Sequence, residues 1–206
     1  MFGCVCRSLL GALAMACVAA VSVTPSRAAE ADAAMNVTGW ANPPIGHLMF
    51  CKTFPDECVA HGARGPVILD AQLWADLQQV NLQVNRAITP DTDMDIYGKD
   101  EVWTLPTDRG DCEDYVLLKR KDLEARGWPT GALLIAVVFD EVGEGHAVLV
   151  VRTTSGDYAL DNKTDQIKLW TETGYKFVKR ESDTDPRKWV SVGDGRSMSR
   201  NTAAPN

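Results

Sequence analysis

The sequence predicts an α+β domain, with helices in its first half and an antiparallel sheet in its second. Two segments carry apolar residues at helical spacing, at residues 70–88 and 111–127. Short apolar or alternating segments follow them and are typical of strands, at residues 132–139, 146–152, 157–162, 175–180 and 187–192. Helices that precede a run of strands, rather than alternating with them, favour an α+β fold over a parallel α/β fold.

The start of the chain predicts export. Arg7 precedes the apolar run Leu9–Val23, which is shorter than the roughly 20 residues that a membrane helix requires. Ser26-Arg27-Ala28 then places small residues where a signal peptidase needs them for cleavage after Ala28. We interpret residues 1–28 as a secretory signal peptide, and we expect a periplasmic protein without an integral membrane span.

The remainder has the length and charge of one acidic domain. Removing the leader from the 206 residues leaves enough chain for a single core. Without the two arginines of the leader the net charge moves from −7 to −9, which excludes the basic footprint of a nucleic-acid-binding protein and suits cationic partners such as divalent metal. We expect a flexible N-terminus at residues 29–44, a domain at residues 45–195 and a disordered tail at residues 196–206.

Cysteine usage predicts one disulfide and one free thiol. Three of the six cysteines lie in the leader, which leaves Cys51, Cys58 and Cys112. In an oxidising compartment Cys51 and Cys58 are well placed to close a small loop around Pro55. Cys112 then has no intramolecular partner, so it is an intermolecular link, an inert residue or a reactive group.

The first predicted helix begins after Asp70, which suits an N-cap, and ends before Thr89-Pro90. Its apolar face consists of residues three or four positions apart: Leu73, Leu77, Val80, Val84 and Ile88. Residues 89–110 follow as a long acidic connection without periodicity. Such a connection is typical of a functional or mobile loop.

The second predicted helix begins at Asp111 and ends at Gly127. Cys112 lies in its first turn, where free N–H groups and the helix dipole stabilise a thiolate and a nearby oxyanion. The neighbouring acids Glu113 and Asp114 oppose a thiolate, and they also disfavour a buried structural thiol. Position alone therefore leaves Cys112 open between a nucleophile and an inert cysteine.

The hairpin after this helix supplies a candidate base. His146 begins a strongly apolar strand, where a histidine can point into a cleft. If Arg152 pairs with Asp157 across the turn, Asp161 becomes the diagonal neighbour of His146 on the same face. A shift of one residue would place Asp161 on the opposite face. In the first register, cysteine, histidine and aspartate have the order of a thiol acyl-transfer triad. The other two histidines are expected at the surface: His47 and His61.

The segments around these three residues resemble a known protease family. GDCEDYVLLKRKDLEARGWP, GHAVLVV and GDYALDN are similar to segments of the bacterial transglutaminase-like cysteine proteinases, in particular the LapG-like periplasmic branch. The resemblance extends over about residues 45–192 and implies a papain- or transglutaminase-like fold. It implies peptide-bond hydrolysis with Cys112 as nucleophile, His146 as general base and Asp161 as its orienting partner.

The resemblance also implies a metal and partners. Acids that flank the cysteine take part in calcium binding in the LapG-like branch, and Asp111 and Glu113 match them here. Calcium prefers several hard oxygen ligands, and acids of the preceding loop are available to complete the shell: Asp91, Asp93, Asp95 and Asp108. The implied substrate is a protein such as a surface adhesin, and the implied regulator is a membrane receptor. The second oxyanion donor stays open between Trp103 and an amide of residues 81–85.

Two other functions remain open on the same residues. An amide acyl transferase or deamidase would use the same triad, because release of an acyl-enzyme to water or to an amine leaves no trace in a sequence. A non-catalytic, calcium-dependent binding protein would also retain the motif. The helix dipole alone accounts for Glu113 and Asp114 as first-turn acids.

Overall fold

The structure, a computed structural model, describes residues 33–193. The helices are α1 (Ile45–Thr53), α2 (Ala71–Ala87), α3 (Asp93–Tyr97) and α4 (Cys112–Ala125). The strands are β1 (Val37–Ala41), β2 (Thr89–Pro90), β3 (Arg109–Gly110), β4 (Leu133–Phe139), β5 (Gly145–Thr153), β6 (Gly156–Leu160), β7 (Lys168–Leu169), β8 (Lys176–Glu181) and β9 (Trp189–Val192). Short 3₁₀ turns lie at Pro55–Cys58, Thr130–Ala132 and Trp170–Glu172.

Seven of these strands form one antiparallel sheet, in the order β1-β9-β8-β4-β5-β6-β7. β2 and β3 form a separate parallel pair, which brings together the two ends of the long connection between α2 and α4. Apart from β1, the strands of this sheet follow the four helices along the chain, and the two long helices pack on it. The predicted α+β fold is therefore confirmed.

The central strand β4 is buried on both faces, which explains its uninterrupted apolar sequence. Leu133 and Ile135 belong to the core that α2 and α4 share with the sheet. Leu134 and Ala136, which alternate with them, belong to a second apolar cluster on the opposite face. A strand covered on both faces needs no polar side, so its sequence does not alternate.

The two long helices begin where the sequence predicts. Asp70 caps α2, and its side chain accepts a hydrogen bond from the backbone N–H of Leu73 at 2.8 Å. Asp111 is the N-cap residue of α4. Beyond the end of α4, Gly127 adopts a φ of +91°, a conformation that suits glycine after a helix.

Several parts of the structure differ from the expectations. Residues 37–41 of the N-terminal segment 29–44 are not irregular but form β1, which pairs with β9. Backbone hydrogen bonds order this edge strand although most of its side chains are exposed. The long connection contains α3. Residues 1–28 and 196–206, the predicted leader and tail, lie outside the described residues. Across residues 33–193, no helix has the length and apolar character to cross a membrane.

Candidate active site

Cys112 lies in the first turn of α4, as predicted, and is its first residue. The backbone N–H groups of such a turn have no partner within the helix. The cysteine is partly buried and forms no disulfide. Its Sγ donates a hydrogen bond to Glu113 Oε2 at 2.9 Å. The backbone N–H of Ala147, which follows His146 in β5, donates towards the sulfur. The thiol therefore lies where the start of α4 meets the strand that carries the histidine.

The surroundings of this thiol hold it protonated. Burial and the adjacent Glu113 carboxylate raise the pKa of Cys112, and the Ala147 N–H acts in the opposite direction. The sulfur becomes a nucleophile only as a thiolate, so a proton acceptor or a positive charge nearby is required. The histidine of β5 is a candidate for the proton acceptor. A group of carboxylates beside the start of α4 is a candidate site for a cation, which would supply the positive charge.

The β5–β6 hairpin has the register that brings the candidate base and acid together. Arg152 pairs with Asp157, which confirms the predicted alignment of the two strands. His146 Nε2 lies 2.9 Å from Asp161 Oδ1, and both side chains are buried. Because Nε2 is engaged with the carboxylate, Nδ1 is the ring nitrogen that can accept a proton.

Three hydrogen bonds hold the Asp161 carboxylate. Oδ1 accepts from His146 Nε2 and from the backbone N–H of Lys163 at 3.0 Å. Oδ2 accepts from the Tyr175 hydroxyl at 2.5 Å. Burial acts to raise the pKa of Asp161, but the bonds from His146, Lys163 and Tyr175 outweigh it and hold that pKa below its ordinary value. Asp161 is therefore ionised at neutral pH and can stabilise a protonated His146.

Tyr175 is a residue of this site that the sequence did not reveal. Its ring packs edge-on against His146, with the ring centroids 5.7 Å apart. The predicted strand 175–180 begins with this tyrosine, but β8 pairs with β4 and no short hairpin joins it to β6. Spacing along the chain therefore gives no indication that Tyr175 lies beside Asp161.

Lys163 ties the loop after Asp161 to the turn that precedes His146. Its Nζ lies 2.6 Å from Asp140 Oδ2. Asp140 Oδ1 accepts hydrogen bonds from two backbone N–H groups within the β4–β5 turn. The bond from Lys163 and these N–H groups lower the pKa of Asp140 to about 2. The ion pair fixes the turn from which His146 emerges.

Two asparagines of α2 hold the same loop from behind. Asn85 Nδ2 donates to the Asp161 carbonyl and to Asp165 Oδ1, each at 3.0 Å. Asn81 Nδ2 donates to the Asp165 carbonyl at 3.2 Å. An amide of residues 81–85 is one of the options that the sequence leaves for the second oxyanion donor. The Nδ2 groups of both asparagines, however, bind the loop that follows Asp161. The two asparagines instead hold the backbone at Asp161 and in the loop after it.

Three carboxylates meet beside the start of α4. Oxygen atoms of Asp93, Asp111 and Asp114 lie within 4.8 Å of one another. The Val102 N–H donates to Asp93 Oδ2, and the Thr104 N–H donates to Asp114 Oδ1. Asp93 Oδ1 and Asp114 Oδ2 are left buried without a hydrogen-bond partner among the described residues. Burial, with repulsion from neighbouring carboxylates, raises the pKa of Asp111 to about 9 and that of Asp114 to about 7. Crowded carboxylate oxygens with unused bonding capacity fit a hard cation such as calcium.

This carboxylate group coincides only in part with the predicted calcium ligands. Asp111 belongs to it, whereas the Glu113 carboxylate lies beside Asp111 and accepts the hydrogen bond from Cys112. Asp93 of α3 is also a member. So is Asp114, which the sequence alone explains as an acid in the first turn of a helix. The other loop acids have partners of their own: Asp91 with Arg109, Asp95 with Thr92 and Asp108 with Thr107.

The predicted disulfide joins Cys51 and Cys58 and closes the loop after α1. His47, beside it, is buried and not at the surface as expected, because polar partners inside the core satisfy its ring. Its Nε2 lies 3.0 Å from Glu181 Oε1, and Trp189 Nε1 donates to its Nδ1 at 3.3 Å. The ring of His47 is therefore satisfied by partners within the core, whereas His146 is the histidine that pairs with Asp161.

Solved structures of Legionella pneumophila LapG are similar to this chain. The calcium-bound form is 26% identical, with a TM-score of 0.50 over 59% of this chain and 72% of that chain. The EGTA-treated form is 26% identical over 61% and 74%, with a TM-score of 0.49. A third LapG structure is 26% identical over 61% and 72%, with a TM-score of 0.48. No curated protein matches the chain.

The family assignment agrees with the fold and with the placement of the cysteine. A sequence model of the family covers residues 37–197, which includes the sheet, the helices and the candidate site. This span is well over half of the chain. The protein belongs to the bacterial transglutaminase-like cysteine proteinases.

Proposed function

We propose that this protein is an exported endopeptidase in which Cys112 is the nucleophile, His146 the general base and Asp161 its orienting partner. The observation that carries the proposal is the buried contact of His146 Nε2 with Asp161 Oδ1 at 2.9 Å. It leaves Nδ1 of the imidazole for the thiol, and the adjacent Ala147 N–H already donates towards that thiol. The arrangement matches the general pattern of nucleophile, base and orienting group.

The chemistry follows from these positions. His146 Nδ1 takes the proton of Cys112, and the thiolate attacks the carbonyl carbon of the scissile peptide. The first N–H groups of α4 stabilise the oxyanion of the tetrahedral intermediate. The imidazolium, stabilised by ionised Asp161, then gives its proton to the leaving amine. Water, deprotonated by the same imidazole, releases the acyl group from the sulfur and restores the thiol.

We further propose that Asp93, Asp111 and Asp114 hold calcium. The support is their mutual approach within 4.8 Å and the unsatisfied oxygens of Asp93 and Asp114. The LapG structure with similar fold was solved in a calcium-bound form. Calcium bound there would offset the carboxylate charge that raises the pKa of the Cys112 thiol.

The substrate and location are also proposals. Membership of a proteinase family implies a protein substrate, and we propose a surface adhesin as that substrate and a membrane receptor as the regulator. A periplasmic location agrees with the Cys51–Cys58 disulfide, because disulfides persist in oxidising compartments. It also agrees with the leader predicted at residues 1–28.

Cleavage of native surface proteins tests the proposal. Envelope proteins from cells that lack the gene are incubated with the purified mature chain, and new protein N-termini are labelled and sequenced by mass spectrometry. We expect new termini with the wild type and with His61→Ala, a control at an exposed histidine. Cys112→Ala and His146→Ala should produce none.

The same experiment separates the other two functions. A fluorescent primary amine in the mixture becomes attached to protein if the acyl-enzyme is released to amines. Amine incorporation without new termini would overturn hydrolysis in favour of acyl transfer. If neither product depends on Cys112, catalysis is wrong and a calcium-dependent binding protein is the better interpretation.

A further inference from the structure

We propose that Tyr175 is a positioning residue of the catalytic centre, which holds the Asp161 carboxylate and thereby the His146 ring in the reactive orientation. This inference rests on the proposed function, since it concerns the same three side chains. Tyr175 comes from the segment before β8, which neither motif nor hairpin register associates with the triad. It would act through Asp161 and not on the substrate.

The hydrogen bonds to Asp161 divide between its two oxygens. Oδ1 receives both His146 Nε2 at 2.9 Å and the Lys163 backbone N–H at 3.0 Å. Oδ2 receives the Tyr175 hydroxyl at 2.5 Å. A carboxylate fixed at both oxygens cannot rotate about its Cβ–Cγ bond, so Oδ1 stays aligned with the imidazole. Such a charge-assisted bond is short and strong.

The hydroxyl of Tyr175 is suited to be a permanent donor. Burial and the adjacent Asp161 carboxylate raise the pKa of Tyr175 above its ordinary value, so the hydroxyl keeps its proton at neutral pH. Asp161 in turn stays ionised, and an ionised carboxylate is an acceptor only. The direction of the hydrogen bond, from Tyr175 to Asp161, is therefore unambiguous.

The ring of Tyr175 also shields the histidine. It packs edge-on against the His146 imidazole, and only 7% of the tyrosine is exposed. Tyr175 also lines a cleft of about 150 Å³, together with Asp161 and the charged residues Glu141, Lys163 and Lys168. His146 itself is buried and does not line this cleft. Exclusion of water strengthens the Nε2–Oδ1 contact.

Positioning has a defined chemical consequence. With Oδ1 held in line, the neutral imidazole carries its proton on Nε2, which leaves Nδ1 without a proton and able to accept one. If the carboxylate rotates, the ring gains a second tautomer with the proton on Nδ1, which cannot accept from Cys112. Small losses of alignment in a catalytic group cost up to about 100-fold in rate.

The first test is kinetic. Tyr175→Phe keeps the ring and removes only the hydroxyl; Tyr158→Phe is the matched control, because this β6 tyrosine packs against Trp74 and not against the triad. With a quenched fluorescent peptide that spans a mapped cleavage site, we expect kcat to fall about 10- to 100-fold in Tyr175→Phe, with KM little changed. Tyr158→Phe should match the wild type.

A double-mutant cycle with Asp161→Asn shows whether Tyr175 acts through the aspartate. In the Asp161→Asn background the Tyr175→Phe change should have little further effect on kcat, because the group that it positions is already altered. Independent, multiplicative losses would overturn a positioning role. Full kcat in Tyr175→Phe, with loss in Asp161→Asn, would overturn this inference and leave the proposed function standing.

The second test needs no substrate. In Cys112→Ala protein, ¹⁵N NMR of the imidazole reports which nitrogen carries the proton. We expect His146 to be protonated on Nε2 with the native tyrosine and with Tyr158→Phe, and to become a mixture of tautomers in Tyr175→Phe. An unchanged tautomer would overturn the inference. Because this readout does not depend on cleavage, it decides the role of Tyr175 even if the chain proves not to be a peptidase.

Discussion

The Arg120 guanidinium and the Glu181 carboxylate form a two-point ion pair in the core, with Arg120 Nη1 2.9 Å from Oε1 and 3.0 Å from Oε2. Both side chains are buried. Arg120 also donates to the Glu57 carbonyl at 3.1 Å, and Glu181 Oε2 accepts from the Ile135 N–H at 3.0 Å. The pair therefore fastens α4, which begins with Cys112, to the sheet and to the disulfide loop.

Removal of one partner of this pair should be strongly destabilising. Arg120→Met leaves the Glu181 charge buried with fewer donors, and we expect a loss of about 3–5 kcal/mol in the free energy of unfolding, measured with urea. Arg126→Met is the control, because Arg126 pairs with Asp76 near the surface and its loss should cost less than about 1 kcal/mol. Equal losses in the two variants would contradict a structural role for the buried pair.

Local sequence features predicted much of the fold and the centre of the site. Helical spacing and the Asp70 cap located α2, and the acids around Cys112 located the start of α4. The tight turn of the β5–β6 hairpin left few registers open, and the structure has the one that was considered to bring His146 close to Asp161. These relationships span few residues, so chain geometry restricts them strongly.

The unforeseen parts depend on contacts between distant segments. Tyr175 reaches Asp161 only because β8 lies next to β4 in the sheet. Asp93 reaches Asp111 through α3, within a connection that shows no periodicity. His47 is buried because Glu181 and Trp189, distant from it in the sequence, satisfy its ring. Strand β1 is mostly exposed and so lacks the alternating pattern that reveals a strand.

Calcium should stabilise the protein through the three-carboxylate group. A ligand that binds only the folded state at 100 times its Kd adds about 2.7 kcal/mol, so the melting temperature should rise at millimolar calcium. Asp93→Asn removes one ligand charge and should abolish most of the rise. In EGTA the same variant should be at least as stable as the wild type, because it relieves repulsion with Asp111 and Asp114.

The control for calcium is Asp95→Asn, which lies in the same helix as Asp93. Asp95 is exposed and binds the Thr92 hydroxyl, so its loss removes an acidic charge without touching the carboxylate group. We expect it to respond to calcium as the wild type does. A wild-type melting temperature that is the same in EGTA and in millimolar calcium would contradict the proposed metal site.

The Cys51–Cys58 disulfide should contribute measurably although its loop is short. The two cysteines are separated by 7 positions, and closing a loop of that size restricts the unfolded chain by about 2.5 kcal/mol. We expect the double variant Cys51→Ala/Cys58→Ala to lose about that amount in urea unfolding. Cys112→Ala, at the free thiol, should unfold as the wild type does and retain its sensitivity to reductant. Equal urea midpoints with and without reductant would contradict the prediction.

Lys119 of α4 places an amine in the core. Its side chain is fully buried, and its Nζ has no hydrogen-bond partner among residues 33–193. Burial lowers the pKa of Lys119 from 10.5 to about 7, although the carboxylates of Asp161 and Asp165 act in the opposite direction. Between those two values the unfolded chain binds a proton that the folded chain does not.

Stability should therefore rise with pH in the range where the lysine differs between the two states. Relative to Lys119→Met, the wild-type free energy of unfolding should increase by about 1.4 kcal/mol per pH unit between neutral pH and the ordinary lysine pKa. Subtracting the two urea series cancels the groups that both proteins share. Lys121→Met, two positions along and exposed, should give a curve parallel to the wild type. If the Lys119→Met curve is also parallel to that of the wild type, the prediction is wrong. The buried amine then keeps its proton in the folded chain, because the nearby carboxylates outweigh its burial.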